Sequence, residues 1–137
     1  MRAWLPWRDR ISPSPTTVNF PFDKLKVEFA RARALVFPGE EDFGIVPIEV
    51  MACGRPVVAL KRGGALDYVI PGRTGEFFET PTVKSLNSAL DRLEGHSTLS
   101  SSQDTIRAHA KGFHSSVFRE RVLASVNATL ARKNRSM

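Results

Sequence analysis

This 137-residue sequence predicts an α/β fold: a short parallel sheet of about three strands, flanked by helices and followed by further helices. Three observations predict it. Two short continuous apolar runs, Ala34 to Phe37 and Val57 to Leu60, have the character of strands covered on both faces. The segment between them carries helix signals, with Pro47 suited to a first turn and Gly54 then Arg55-Pro56 forbidding continuation. Strand, helix and a second buried strand in that order make a parallel crossover unit.

Taken in order, residues 1 to 17 read as an irregular arm. Trp4, Leu5 and Trp7 are apolar, but Pro6, Pro13 and Pro15 interrupt any regular pattern. Val18-Asn19-Phe20 is a candidate short strand. Asp23 has the character of an N-cap for a helix carrying Leu25, Phe29 and Ala32 on one face. After the first buried strand, Pro38 and Gly39 end the run. Glu40, Glu41 and Asp42 must then lie on a loop, because no apolar face tolerates three unpartnered carboxylates side by side. Phe43 and Gly44 close that loop, and a helix begins at Ile45 with Glu49 near the positive end of its dipole. The second strand leads into a basic, glycine-rich loop, Lys61-Arg62-Gly63-Gly64, and a short helix from Ala65 to Val69. Turns at Pro71 to Gly75 precede a third short strand, Glu76 to Phe78.

Thr80 and Pro81 then read as N-cap and first residue of a helix with Val83, Leu86, Leu90 and Leu93 on one stripe, ending at Gly95. A serine-rich loop, 96 to 102, separates it from a helix over Asp104 to Lys111. Ser115 caps a last helix, with Phe118, Val122, Val126 and Leu130 spaced four apart, and Arg132, Lys133 and Arg135 form a basic tail.

This order places Glu41 and Glu49 near the carboxyl end of a parallel strand, with backbone N–H groups of Phe43, Gly44 and Ile45 facing the same space. Ligands of open α/β sheets bind there. Two carboxylates suit a polyol, because one ionised carboxylate accepts from two vicinal hydroxyls, each charged hydrogen bond contributing about 1.5–3 kcal/mol. Gly63 and Gly64 let backbone approach a ligand closely, and the cations beside them suit a phosphate. The bland readings are a solvated acidic loop, a surface glutamate and an ordinary turn.

The spacing Glu41-x7-Glu49, with Phe43-Gly44 after the first glutamate and Pro47 before the second, resembles the donor-site signature of the family 4 (group 1) glycosyltransferases, which have the GT-B fold. The likeness runs on through Met51-Ala52-Cys53-Gly54-Arg55-Pro56-Val57-Val58, Gly63-Gly64-Ala65-Leu66-Asp67 and Gly72-Arg73-Thr74-Gly75. It is clear over residues 18 to 80 and looser over the later helices. Asp67 departs from the glutamate common in the family at that position, which shortens the reach of any contact there.

The resemblance implies a partial Rossmann-like domain over residues 18–131, the later part of the nucleotide-sugar donor domain, with the 132–137 tail beyond it. It implies transfer of a hexose with retention of configuration and no cofactor beyond the nucleotide-sugar donor. Glu41 would be the catalytic residue holding hydroxyls of the transferred sugar, and Glu49 would hold the ribose. The amides of Phe43, Gly44 and Ile45 would face the sugar and diphosphate, with Gly63 and Gly64 completing the donor site. The phrase Glu-Asp-Phe-Gly-Ile-Val-Pro-Ile-Glu is most similar to mannosyltransferases, which implies GDP-mannose. The family's terminal helices cover the sheet and cross back toward the other domain. The acceptor domain and the first part of the donor domain are not in this sequence, so transfer would need those parts or a partner chain. The alternative is a noncatalytic, truncated remnant or nucleotide-sugar-binding module.

Composition narrows the remaining classes. Net charge is +6 and the pI near 10.1, which favours acidic partners such as nucleotide diphosphates or an anionic membrane surface contacted peripherally. No aromatic and basic interleaving points to nucleic acid. Cys53 is the single cysteine, so no disulfide forms within the chain and a reducing, cytoplasmic setting fits. No apolar run approaches the ~20 residues of a membrane span, and no secretory pattern is found. With no Asp-x-Asp motif, metal dependence is not indicated, and His96, His109 and His114 have no matched partner.

Overall fold

The structure is a computed structural model that describes residues 21–95 and 103–135. The expected arm over 1–17, the strand at Val18 to Phe20 and the loop over 96–102 lie outside the described residues. Helix α1 (Phe22–Arg31) leads into strand β1 (Leu35–Phe37), helix α2 (Ile45–Ala52), strand β2 (Val57–Leu60) and the single-turn α3 (Ala65–Tyr68). Strand β3 (Gly75–Phe78) follows, then α4 (Val83–Gly95), α5 (Gln103–Lys111) and α6 (Ser115–Arg135). The sheet is parallel throughout, in the order β1-β2-β3, with Leu35 opposite Val57 and Val57 opposite Gly75. The predicted α/β class with three parallel strands therefore holds.

All four residues of β2 are buried, because the central strand has a helical layer on each side. Val57 and Ala59 face Met51 of α2, Ala65 and Tyr68 of α3, and Ile106 and Ala110 of α5. Val58 and Leu60 turn to the other face, against Phe78 and Ala89, with Leu86 and Leu90 of α4 packed around them. Each such aliphatic side chain removed from water contributes roughly 1.5–3 kcal/mol, which is why this run tolerates no polar residue.

The stop of α2 follows its sequence. Gly54 takes a left-handed φ of 79°, its N–H bonds the Met51 carbonyl at 2.8 Å and the Arg55 N–H bonds Val50 at 3.2 Å, a Schellman closure. Three helix starts differ from expectation. Asp23 lies inside the first turn of α1, with Pro21 at the boundary and no side-chain cap. The cap of α4 is Thr82, not Thr80: its Oγ1 accepts from the Ser85 N–H at 3.3 Å and its carbonyl from the Leu86 N–H at 3.0 Å. Ser115 is the first residue of α6, and the cap is His114, whose Nδ1 accepts from the Ser116 N–H at 3.3 Å.

The largest departure concerns α6. Its Phe118, Val122, Val126 and Leu130 are all exposed, between 42% and 69%, so this helix does not cover the sheet. Packing on that side comes from α5, through Ile106 and Ala110. The helix continues through Arg135 and takes Arg132 and Lys133 with it.

Candidate functional site

The carboxyl ends of β1 and β2 open onto two loops that pack against each other backbone to backbone. The N–H of Gly64 bonds the carbonyl of Glu41 at 2.7 Å. A Cβ on Gly63 would stand 2.5 Å from that same carbonyl oxygen, and one on Gly64 would stand 2.5 Å from the Asp42 oxygen and 2.7 Å from that of Phe43. Side chains there are sterically barred, so the Gly63-Gly64 pair is what lets the acidic loop dock. The space freed by those glycines is thus taken by the chain's own backbone at Glu41, Asp42 and Phe43.

Docking fixes the main chain of Glu41 while leaving its side chain exposed. Glu49 lies in the second turn of α2, half-buried. Among the described residues no hydrogen bond or ion pair engages either carboxylate. Gly44 is the N-terminal boundary of α2 with φ 83° and ψ 77°, and this left-handed turn swings the chain from loop into helix. The N–H groups of Phe43, Gly44 and Ile45 donate to no described residue. These are the orphan donors of a helix start, and Pro47 in the same turn is buried and has no N–H to satisfy. Glu41 and the amides of Phe43, Gly44 and Ile45 therefore lie together in the short loop between β1 and α2. Ile45, 65% exposed, projects its side chain into solvent beside them.

Three supporting residues gave no signal in the sequence. Phe43 packs obliquely on Phe113, ring centroids 6.2 Å apart, and Phe113 meets the His109 ring edge-on at 5.4 Å. His109 Nε2 lies 2.9 Å from the carbonyl of Tyr68. The segment from α5 to α6 thereby buttresses the acidic loop, and His109 has a structural occupation. Tyr68 itself is wholly buried on α3, and its hydroxyl finds no hydrogen-bond partner among the described residues. A Cβ on Gly44 would stand 2.8 Å from that hydroxyl oxygen. Burial, with the charge of Glu41 adding to it, pushes the phenol up to about 12, so it is neutral and holds a proton to donate at any ordinary pH.

The basic residues of the glycine loop are divided. Lys61 pairs with Glu79 at 2.8 Å, while Arg62 is exposed. A shallow depression of about 270 Å³ lies between β3 and α4, lined by Thr80, Thr82, Ser85 and Arg92 among others. The Ser85 hydroxyl there accepts from the N–H of Glu79 at 3.1 Å, so this hollow belongs to the cap of α4. Glu41, exposed, and Glu49, half-buried, do not line that depression. Among the described residues no cluster of three or more His, Cys, Asp or Glu side chains is placed to hold a metal ion, and no helix is long and apolar enough to cross a membrane.

Against known proteins, the profile of the family described as glycosyl transferases group 1 matches residues 17–111. Over 56 residues the chain is 43% identical to the alpha-1,3/1,6-mannosyltransferase ALG2 of Dictyostelium discoideum, a stretch covering 41% of this chain and 13% of that protein. Over 85 residues it is 33% identical to a GDP-mannose-dependent alpha-(1-6)-phosphatidylinositol monomannoside mannosyltransferase of Mycolicibacterium smegmatis, covering 56% of this chain and 22% of that one. Among solved structures, sucrose-phosphate synthase from Thermosynechococcus elongatus superposes with a TM-score of 0.60 at 29% identity, over 83% of this chain and 28% of that one. The matched stretch is thus between 13% and 28% of the length of these three proteins.

Proposed function

The chain belongs to the group 1 glycosyltransferases, and from that premise we propose that it carries one wall of the donor site for hexose transfer from a nucleotide sugar. The observation that carries this reading is the docking of the acidic loop on Gly63-Gly64, which holds the Glu41 backbone beside the free amides at the start of α2. In this reading the carboxylate of Glu41 accepts from hydroxyls of the transferred sugar, and that of Glu49 accepts from the ribose. The amides of Phe43, Gly44 and Ile45 donate to the sugar and diphosphate oxygens. Such preorganised donors stabilise the charge that grows on a departing diphosphate, most strongly in a cleft closed to water. In this reading the acceptor side comes from other residues of a longer protein or from a partner chain. GDP-mannose is the donor this reading favours, because two relatives are mannosyltransferases and the Mycolicibacterium smegmatis one is GDP-mannose-dependent. The +6 net charge supports a peripheral contact with an anionic membrane surface during transfer.

The exposure of the Glu41 side chain also favours a second reading, a module that binds a nucleotide sugar without turning it over. One titration addresses both. Two-dimensional amide spectra of the chain, recorded with increasing GDP-mannose or UDP-glucose, are expected to move at Phe43, Gly44 and Glu49. Glu49→Gln is expected to weaken binding by about tenfold or more with the spectrum otherwise intact, as loss of a charge-assisted bond worth about 1.5–3 kcal/mol requires. Unchanged affinity in that variant sinks the assignment of Glu49. Sugar transfer by the chain alone would rule out the binding-module reading.

A further inference from the structure

Tyr68 is the only tyrosine in the chain. Its side chain is wholly buried, yet its hydroxyl lacks a partner. The rest of α3 does not explain this, because an aliphatic side chain would fill the same apolar layer without burying a polar atom. Nor does the backbone of α3 depend on the hydroxyl: the Tyr68 carbonyl is served by the Thr74 hydroxyl at 3.1 Å and by His109 at 2.9 Å. The hydroxyl is aimed at the left-handed turn of Gly44, the hinge between acidic loop and α2. Around it the main chain is pinned, since Gly64 holds the Glu41 carbonyl and Gly63-Gly64 fill the gap behind. What remains free is the side chain of Glu41, exposed and unbonded, three residues ahead of Gly44 in the same short loop that lies over the hydroxyl.

We propose that Tyr68 is a positioning residue of the donor site, its hydroxyl donating to the carboxylate of Glu41 when a nucleotide sugar is bound. The proposal rests on the donor-site reading of Glu41. Without ligand, the exposed carboxylate is solvated by water. A bound sugar excludes that water and draws the side chain inward, where the phenolic O–H supplies the lost hydrogen bond. One carboxylate oxygen is then fixed by Tyr68 and the other is left to accept from sugar hydroxyls. The unpartnered hydroxyl is thus a cost carried by the empty chain and recovered in the complex.

The opposed effects on folding and binding give the test. Tyr68→Phe removes a buried polar atom that has no partner, so the urea midpoint of the empty chain is expected to stay level or rise. The same substitution is expected to weaken GDP-mannose or UDP-glucose binding about tenfold or more, the worth of one hydrogen bond to a charged group. A tyrosine serving packing alone would leave affinity unchanged. Because the tyrosine is unique, labelling its Cζ with carbon-13 gives one resonance that reports the hydroxyl directly. That signal is expected to move with the same saturation curve as the amides of Phe43 and Gly44, and to stop moving in Glu41→Gln. If the amides respond while the tyrosine signal stays still, or if Tyr68→Phe binds as tightly as the parent, the proposal is overturned and the donor-site reading stands. If neither amides nor tyrosine respond to either nucleotide sugar, both fall. Should Tyr68→Phe fail to fold, the resonance in the unsubstituted chain decides alone.

Discussion

The two edges of the sheet are built differently. On β3 the outward-facing backbone is closed by the chain itself: the Gly75 carbonyl accepts from the Gly72 N–H at 3.1 Å, and the Phe77 carbonyl accepts from Arg92 at 2.6 Å. Arg92 also pairs at 3.2 Å with Glu76, whose buried carboxylate accepts from the Gly72 N–H at 2.9 Å. On β1, Leu35 and Phe37 turn their backbone groups to β2, so that Val36 faces outward. Val36 is 39% exposed, and no described residue bonds its backbone. The β3 edge is therefore finished by side chains and turns, not by strand pairing, and among the described residues it is the only edge so finished. The open edge belongs to the strand that leads into the acidic loop, which is held by Gly63-Gly64 from β2's side and by Phe113 against Phe43.

The comparison can be broken most severely at Gly75. A Cβ there would stand 1.8 Å from the Val57 carbonyl oxygen, a backbone atom of the central strand that has no room to retreat. Gly75→Ala is expected to cost more than about 4 kcal/mol and to abolish the amide dispersion of the whole chain, as overpacking at a core backbone contact does. Arg92→Ala comes next. It uncovers the Phe77 carbonyl and strips Glu76 of its cation, and should lower stability by roughly 1–3 kcal/mol in urea unfolding. The half-exposed guanidinium keeps that figure below the cost of breaking a fully buried pair. Val36→Thr is the smallest, a cost under about 1 kcal/mol on a half-exposed edge position. A larger loss at Val36 than at Arg92 would reverse the comparison and show that β1 is the supported edge.

What the sequence disclosed and what it hid follow one physical division. Elements set by local rules were legible: the buried strand at Val57 to Leu60 and the close of α2 at Gly54. Caps fell two positions out at Thr80 and one at Ser115, because threonine and serine cluster there and only geometry selects which of them, or which neighbour, receives the amide. Contacts between distant segments were not legible. Tyr68 beneath Gly44, Phe113 against Phe43 and Arg92 across β3 carry no spacing signal, since each joins side chains from separate elements. The glycine pair was half legible: its need for close approach shows in the residues, but its neighbour is the acidic loop's own backbone.

The closeness of Gly44 to the Tyr68 hydroxyl bears on the order in which this sequence can drift. A side chain at position 44 meets two obstacles, a left-handed φ of 83° and an oxygen 2.8 Å from where its Cβ would sit. Shortening Tyr68 removes the second obstacle and leaves the first, a strain of about 1–2 kcal/mol for an L-residue. A lineage that replaces Gly44 first has to displace the Tyr68 ring as well as bear that strain, while a lineage that shortens Tyr68 first keeps Gly44 unharmed. The two sites thus favour one order of steps, in which the hydroxyl is surrendered before the turn changes.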